Sequence, residues 1–152
     1  MKEKSTDELN KQLENTKPDK LDSYYKKNSE YMINGENAFN YYVKDVLERK
    51  NIQLKDIYLA ADMTESYAGQ IIRMEKHTKN RDTILKLCIA GHFLLDEINR
   101  ALKLYGMTEL YAKDPRDACI IVAINNRIYD LHKIDELLEK QGFQKLLKNK
   151  KS

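Results

Sequence analysis

A chain of 152 residues, 34% charged and 41% hydrophobic, with 27 Lys plus Arg against 24 Asp plus Glu for a net charge of +3, has the size of one or two small soluble domains. Five Gly, two Pro and no Trp leave too few tight-turn residues for the β-rich classes, so the expectation is all-α. No apolar run is long enough for a membrane span, and Met1 to Lys4 leads into polar sequence instead of a signal h-region, so a cytoplasmic protein without membrane contact is expected.

Residues 1–37 carry 7 basic and 8 acidic side chains with thinly spread apolar residues. They read as a polar N-terminal segment, partly disordered or weakly helical, in which Leu9 and Leu13 form an i,i+4 pair and Tyr24 to Tyr31 an amphipathic turn. From Ala38 the pattern sharpens: Phe39, Tyr42, Val43, Val46 and Leu47 fall on one helical stripe. A short helix follows from Gln53, with Leu54, Ile57, Tyr58 and Ala61 on one face, and stops near Asp62. Another starts at Thr64, an N-cap type, with Ala68 and Ile71 inward. The connection between Ala61 and Thr64 is so short that the two helices must meet at a sharp angle, a helix-turn-helix.

A polar basic loop, Lys76 to Asn80, leads to a helix that Asn80 can cap, where Ile84, Leu85, Leu87, Cys88, Ile89 and Ala90 exceed one stripe and predict cover on two sides. Residues 81–111 can be laid over 116–147 with one inserted residue: Arg81-Asp82 on Arg116-Asp117, Ile89 on Ile124, Leu95 on Leu131, Ile98 on Ile134, Leu102 on Leu138, Gly106 on Gly142 and Leu110 on Leu146. The reading is two helical hairpins of one design, with Asp114 and Pro115 opening the second and Gly106 and Gly142 in the left-handed position that ends a helix. Its run from Cys119 to Ile124 is the most apolar in the chain and calls for burial. The basic tail, with Lys140, Lys145, Lys148, Lys150 and Lys151, favours polyanions without identifying one.

Several chemistries find no support. Cys88 and Cys119 each sit in an apolar run and read as core thiols, and His77, His92 and His132 lack metal-ligand context, so neither a metal nor a cofactor is expected. Nucleophile elbows, phosphate loops and kinase signatures are absent, and acidic pairs such as Asp96-Glu97 and Asp135-Glu136 read as solvated surface faces, so no enzyme is expected. The Arg-Asp pairs have a local explanation, in which Asp complements the helix dipole and Arg reaches a neighbouring carboxylate.

Ile57, Ala61, Met63, Thr64, Ala68 and Ile71, followed by Asn80-Arg81 and Ile84 to Cys88, carry a resemblance of Phe39 to Ile98 to the lambda repressor-like helix-turn-helix domains of the Cro/repressor or XRE type. Later residues, from Glu97-Ile98-Asn99 to Arg116-Asp117, resemble a helical extension found in some bacterial regulators of this type. The resemblance implies a DNA-binding domain at 38–98, a C-terminal helical extension at 99–147 and a basic tail at 148–152. It implies a sequence-specific transcription regulator that inserts helix 64–74 into the major groove of double-stranded DNA, where Thr64, Glu65, Ser66, Gln70 and Arg73 contact bases. Lys55, Lys76, His77, Lys79 and Arg81 are the implied phosphate contacts. One such helix reads few base pairs, so a homodimer is implied, with the C-terminal hairpins as a surface for it or for a protein partner. The chain departs from the family at Asp62 in the turn, Tyr58 in the preceding helix, Leu54 at that helix's start and Gly91, and the DNA affinity expected is modest. The rival expectation is a protein-binding adaptor or inhibitor whose helix-turn-helix no longer engages DNA, suggested by Glu65, Leu54 and the near-neutral motif.

Overall fold

The computed structural model describes residues 5–32 and 37–147, and among them the secondary structure is entirely helical. In chain order the helices are α1 (Thr6–Glu14), α2 (Leu21–Lys27), α3 (Ala38–Arg49), α4 (Leu54–Ala60), α5 (Glu65–Ile72), α6 (Arg81–Ala90), α7 (Leu95–Leu104), α8 (Pro115–Asn125) and α9 (Leu131–Lys140), with short 3-10 turns at Pro18–Lys20 and Ser29–Tyr31. The expected basic tail, from Lys148 onward, lies outside the described residues.

The N-terminal segment forms two small helices. Ser5 caps α1 by accepting from the Glu8 amide, and the buried Asn28 amide donates to Gln12 Oε1 at 2.8 Å and to the Tyr24 carbonyl, tying α2 to α1. The turn Ser29–Tyr31 then packs on α3.

The stripe predicted from Phe39 to Leu47 faces inward, and α6 is buried on all sides except at Arg81 and Lys86, as its excess of apolar residues requires. Fully enclosed Ile84, Leu85 and Ile89 each contribute about 2 kcal/mol of burial. The helix α7 runs unbroken across residue 98 and packs on α3, α6 and α8. Gly91 has no room for a larger side chain: a Cβ there would lie 3.0 Å from Leu47 and from the Phe93 ring, which occupies the space.

Each helix from α3 to α9 ends in the same way. A left-handed residue (Asn51, Asp62, Met74, His92, Gly106, Arg127 or Gly142) reverses the chain. The next amide then returns to a carbonyl in the last turn, as Met63 does to Tyr58, Phe93 to Cys88 and Phe143 to Leu138. These bonds satisfy carbonyls that the helix end leaves free.

The hairpins α6–α7 and α8–α9 repeat several of one another's bonds. Leu110 donates its amide to Asn99 Oδ1 at 2.9 Å, and the matching Leu146 donates to Asp135 Oδ1 at 2.6 Å. Arg81 donates to the carbonyls of Thr108 and Glu109, and Arg116 to that of Gln144. The inserted residue is Tyr129, whose ring stacks on His92 with centroids 4.6 Å apart. The helix α6 packs on α9 and α7 on α8, and the Arg-Asp pairs cross between hairpins: Arg116 grips Asp82 with both terminal nitrogens, and Arg81 pairs with Asp117.

Three expectations are corrected. Glu97 and Asp135 are buried instead of solvating a face. Glu97 accepts the Leu94 amide at 2.8 Å and an ion pair from Lys50 at 3.0 Å, while Asp135 accepts the Leu146 and Leu147 amides. The run Cys119 to Ile124 is fully buried only at Ile120, Ala123 and Ile124, with Ile121 partly covered and Val122 55% exposed. Cys119 is accordingly half-buried, whereas Cys88 is enclosed.

Candidate nucleic-acid interface

The helices α4 and α5 pack through Ile57, Ala61, Ala68 and Ile71, all within 1% of full burial, where the two alanines let the backbones approach closely. Asp62 takes the left-handed conformation, with φ of 56°, that a glycine would otherwise supply. Thr64 caps α5 by accepting from the Tyr67 amide at 3.1 Å. The helix ends two residues sooner than expected, at Ile72, because left-handed Met74 sends the Glu75 amide back to the Gln70 carbonyl at 2.8 Å.

The outward side of α5 carries the sequence-predicted set. Thr64, Glu65 and Ser66 are exposed at its start and Gln70 is partly exposed one turn on, with Ser66, Gln70 and Arg73 in one row by their spacing. Arg73 is exposed but engaged: its guanidinium folds back over Gly69, where a Cβ would lie 2.8 Å from Nη1, and donates to both oxygens of Glu75 at 2.8 and 3.2 Å. That bond holds the Glu75 carboxyl below the usual range and pushes the guanidinium up.

Around this helix Lys55, Lys76, His77 and Lys79 are exposed, the Lys76 ammonium lying 5.9 Å from the centre of the Tyr67 ring. Arg81 stands apart from them, since its guanidinium is taken up by Asp117 and by two carbonyls. Leu54 and Tyr58 lean on the core, which leaves Lys55 as the α4 side chain available to a phosphate. Exposed Asp56, Asp62 and Glu65 offset part of the positive charge, and Leu59, 71% exposed, gives the outer side of α4 an apolar spot.

Two contributors escape sequence spacing. Glu75 sits two residues from Arg73, a separation that in a continuous helix points side chains apart; left-handed Met74 brings them together. Tyr105, at the end of α7, accepts the Thr78 amide at 2.9 Å and stacks on His77 with centroids 4.6 Å apart. Its distance along the chain gives no local signal.

Among the described residues no group of three or more His, Cys, Asp or Glu gathers as a metal ion requires, and no helix is long and apolar enough to cross a membrane. Comparison with known proteins finds no family model, no curated protein and no solved structure that matches the chain.

Proposed function

We propose that the chain is a sequence-specific regulator that binds double-stranded DNA, with α5 in the major groove, as a homodimer on two half-sites. The carrying observation is the exposed polar start of α5 (Thr64, Glu65 and Ser66, with Gln70 one turn on), bordered by exposed Lys55, Lys76, His77 and Lys79. Gln70 suits a bidentate pair with adenine, Ser66 and Thr64 a base edge or phosphate, and Glu65 a cytosine amine. The lysines and His77 hold phosphates; Arg73 joins the base contacts when Glu75 releases it. This reading keeps the resemblance to lambda repressor-like domains, and Arg81 drops out of the phosphate contacts.

A second reading draws on Leu59 and on Met74, 36% exposed at the end of α5. An apolar spot beside a nearly neutral helix suits an adaptor or inhibitor that binds another protein through the same surface.

Selection from a randomised duplex library separates the two. DNA reading predicts an enriched, two-fold symmetric motif, a steep fall of affinity with salt, and a loss on the order of 1 to 3 kcal/mol in Gln70→Ala at one base position. Absence of enrichment, with weak binding unchanged in Gln70→Ala, leaves the protein-binding reading.

A further inference from the structure

We infer that Tyr105 is a positioning residue for DNA: it fixes the basic loop 76–80 at the height at which Lys76, His77 and Lys79 meet phosphates. The inference rests on the DNA-binding reading above and deepens it.

The loop leaves α5 through the left-handed turn at Met74, and its first half is tied locally, the Lys76 amide donating to the Gln70 carbonyl at 3.1 Å. Its second half is tied near α6 by the Asn80 amide, which donates to Thr78 Oγ1 at 3.1 Å. Neither bond sets how far the loop stands from the body of the domain. Tyr105 does, from α7: its hydroxyl accepts the Thr78 amide and its face stacks on His77, inclined by only 13°. The ring is itself held edge-on by Phe39 of α3, with centroids 4.8 Å apart, and is 4% exposed, so it belongs to the core and does not move with the loop.

Phosphate contacts are additive in charge but demand placement, since each lysine must reach its own phosphate along a rigid duplex. A loop whose height is set by a core side chain presents its cations together. Released from that side chain, it no longer brings all of them within reach of their phosphates at once, so binding loses about one contact together with the salt dependence that contact carries. Tyr105 touches no base in this arrangement and acts through the residues it holds.

The test compares wild type with Tyr105→Phe, which keeps the stack on His77 and the contact with Phe39 and removes the acceptor for Thr78. On the duplex recovered by selection, Tyr105→Phe is expected to bind about three- to tenfold more weakly near physiological salt. Its plot of log affinity against log salt is expected to be shallower by about one unit, with the preferred base at each position unchanged. Lys76→Gln is expected to flatten the slope in wild type and to do less in the Tyr105→Phe background, because both changes act on the same contacts. A merely destabilised domain would give a smaller active fraction with parallel salt plots, and parallel plots overturn the inference. If wild type selects no duplex, the DNA-binding reading itself has failed and the inference falls with it; if wild type selects one and the plots stay parallel, only the role of Tyr105 is lost.

Discussion

Arg116 Nη1 and Nη2 meet the two oxygens of Asp82 at 3.0 and 2.9 Å, joining the first turn of α8 to the first turn of α6. The mirror of that contact is Arg81 with Asp117, whose second oxygen also accepts the Tyr111 amide at 3.0 Å. Removing one arginine strands a carboxylate that is largely out of water. Arg116→Met is therefore expected to lower unfolding stability by about 2 to 3 kcal/mol, and adding Asp82→Leu to restore part of it. Urea denaturation of the single and double variants measures this directly, and additive losses would rule out the coupling.

Gly106 and Gly142 have φ of 84° and 83°, and a Cβ at either would meet open space, so backbone conformation and not crowding is what a substitution there disturbs. Alanine at either site is expected to cost about 1 to 2 kcal/mol, the left-handed penalty of an L-residue. Equal losses at the two sites, read from thermal unfolding, are expected of hairpins built alike.

Glu75 holds Arg73 against α5, and both side chains are exposed. On the proposed DNA-binding reading, Glu75→Gln removes the charge that competes with DNA for the guanidinium, so several-fold tighter binding is expected, with a salt dependence steeper by about one unit. The pH dependence has a fixed sign: a carboxylate held below its usual range keeps the pair at higher pH and loses it as pH falls through that lowered value. Acidification should therefore loosen Arg73 in wild type and have no such effect in Glu75→Gln. Titration of the Arg73 side-chain resonances follows it.

Burial pushes the Cys88 thiol well above its usual range, with the nearby Glu97 charge adding to the shift, whereas Cys119 reaches solvent on α8. Alkylation of the native protein is expected to label Cys119 first and Cys88 only on unfolding. Mass spectrometry of a labelling time course distinguishes the two, and equal rates would contradict the enclosed position of Cys88.

Much of the helix punctuation was legible because it depends on neighbours in sequence. Thr64, Asn80 and Asp114 are short polar side chains that cap their helices as their positions predict, and Asp62, Gly106 and Gly142 reverse the chain where expected. The repeat was legible too, since identical residues fall on helix starts, core positions and helix ends. Tertiary partners were not. Glu97 looks like any surface acid until Lys50 of the α3 end is set beside it, and Arg81 looks like a phosphate ligand until Asp117 takes it. Left-handed His92, Arg127 and Met74 carry no glycine to announce them. At the candidate interface, the outward side of α5 follows from helical spacing alone, while the hold of Tyr105 on Thr78 and His77 requires the folded chain.

The crossing of Arg81 to Asp117 and Arg116 to Asp82, together with α6 on α9 and α7 on α8, is the pattern of an isologous contact: each partner offers the other what it receives. A pseudo-dyad therefore relates the two hairpins, and the arrangement closes on itself instead of repeating along an axis. A third hairpin would find no equivalent face to occupy on this pair, unlike a solenoid, which leaves its end open. The outer side of α8, where Val122 stands exposed, takes no part in that closure.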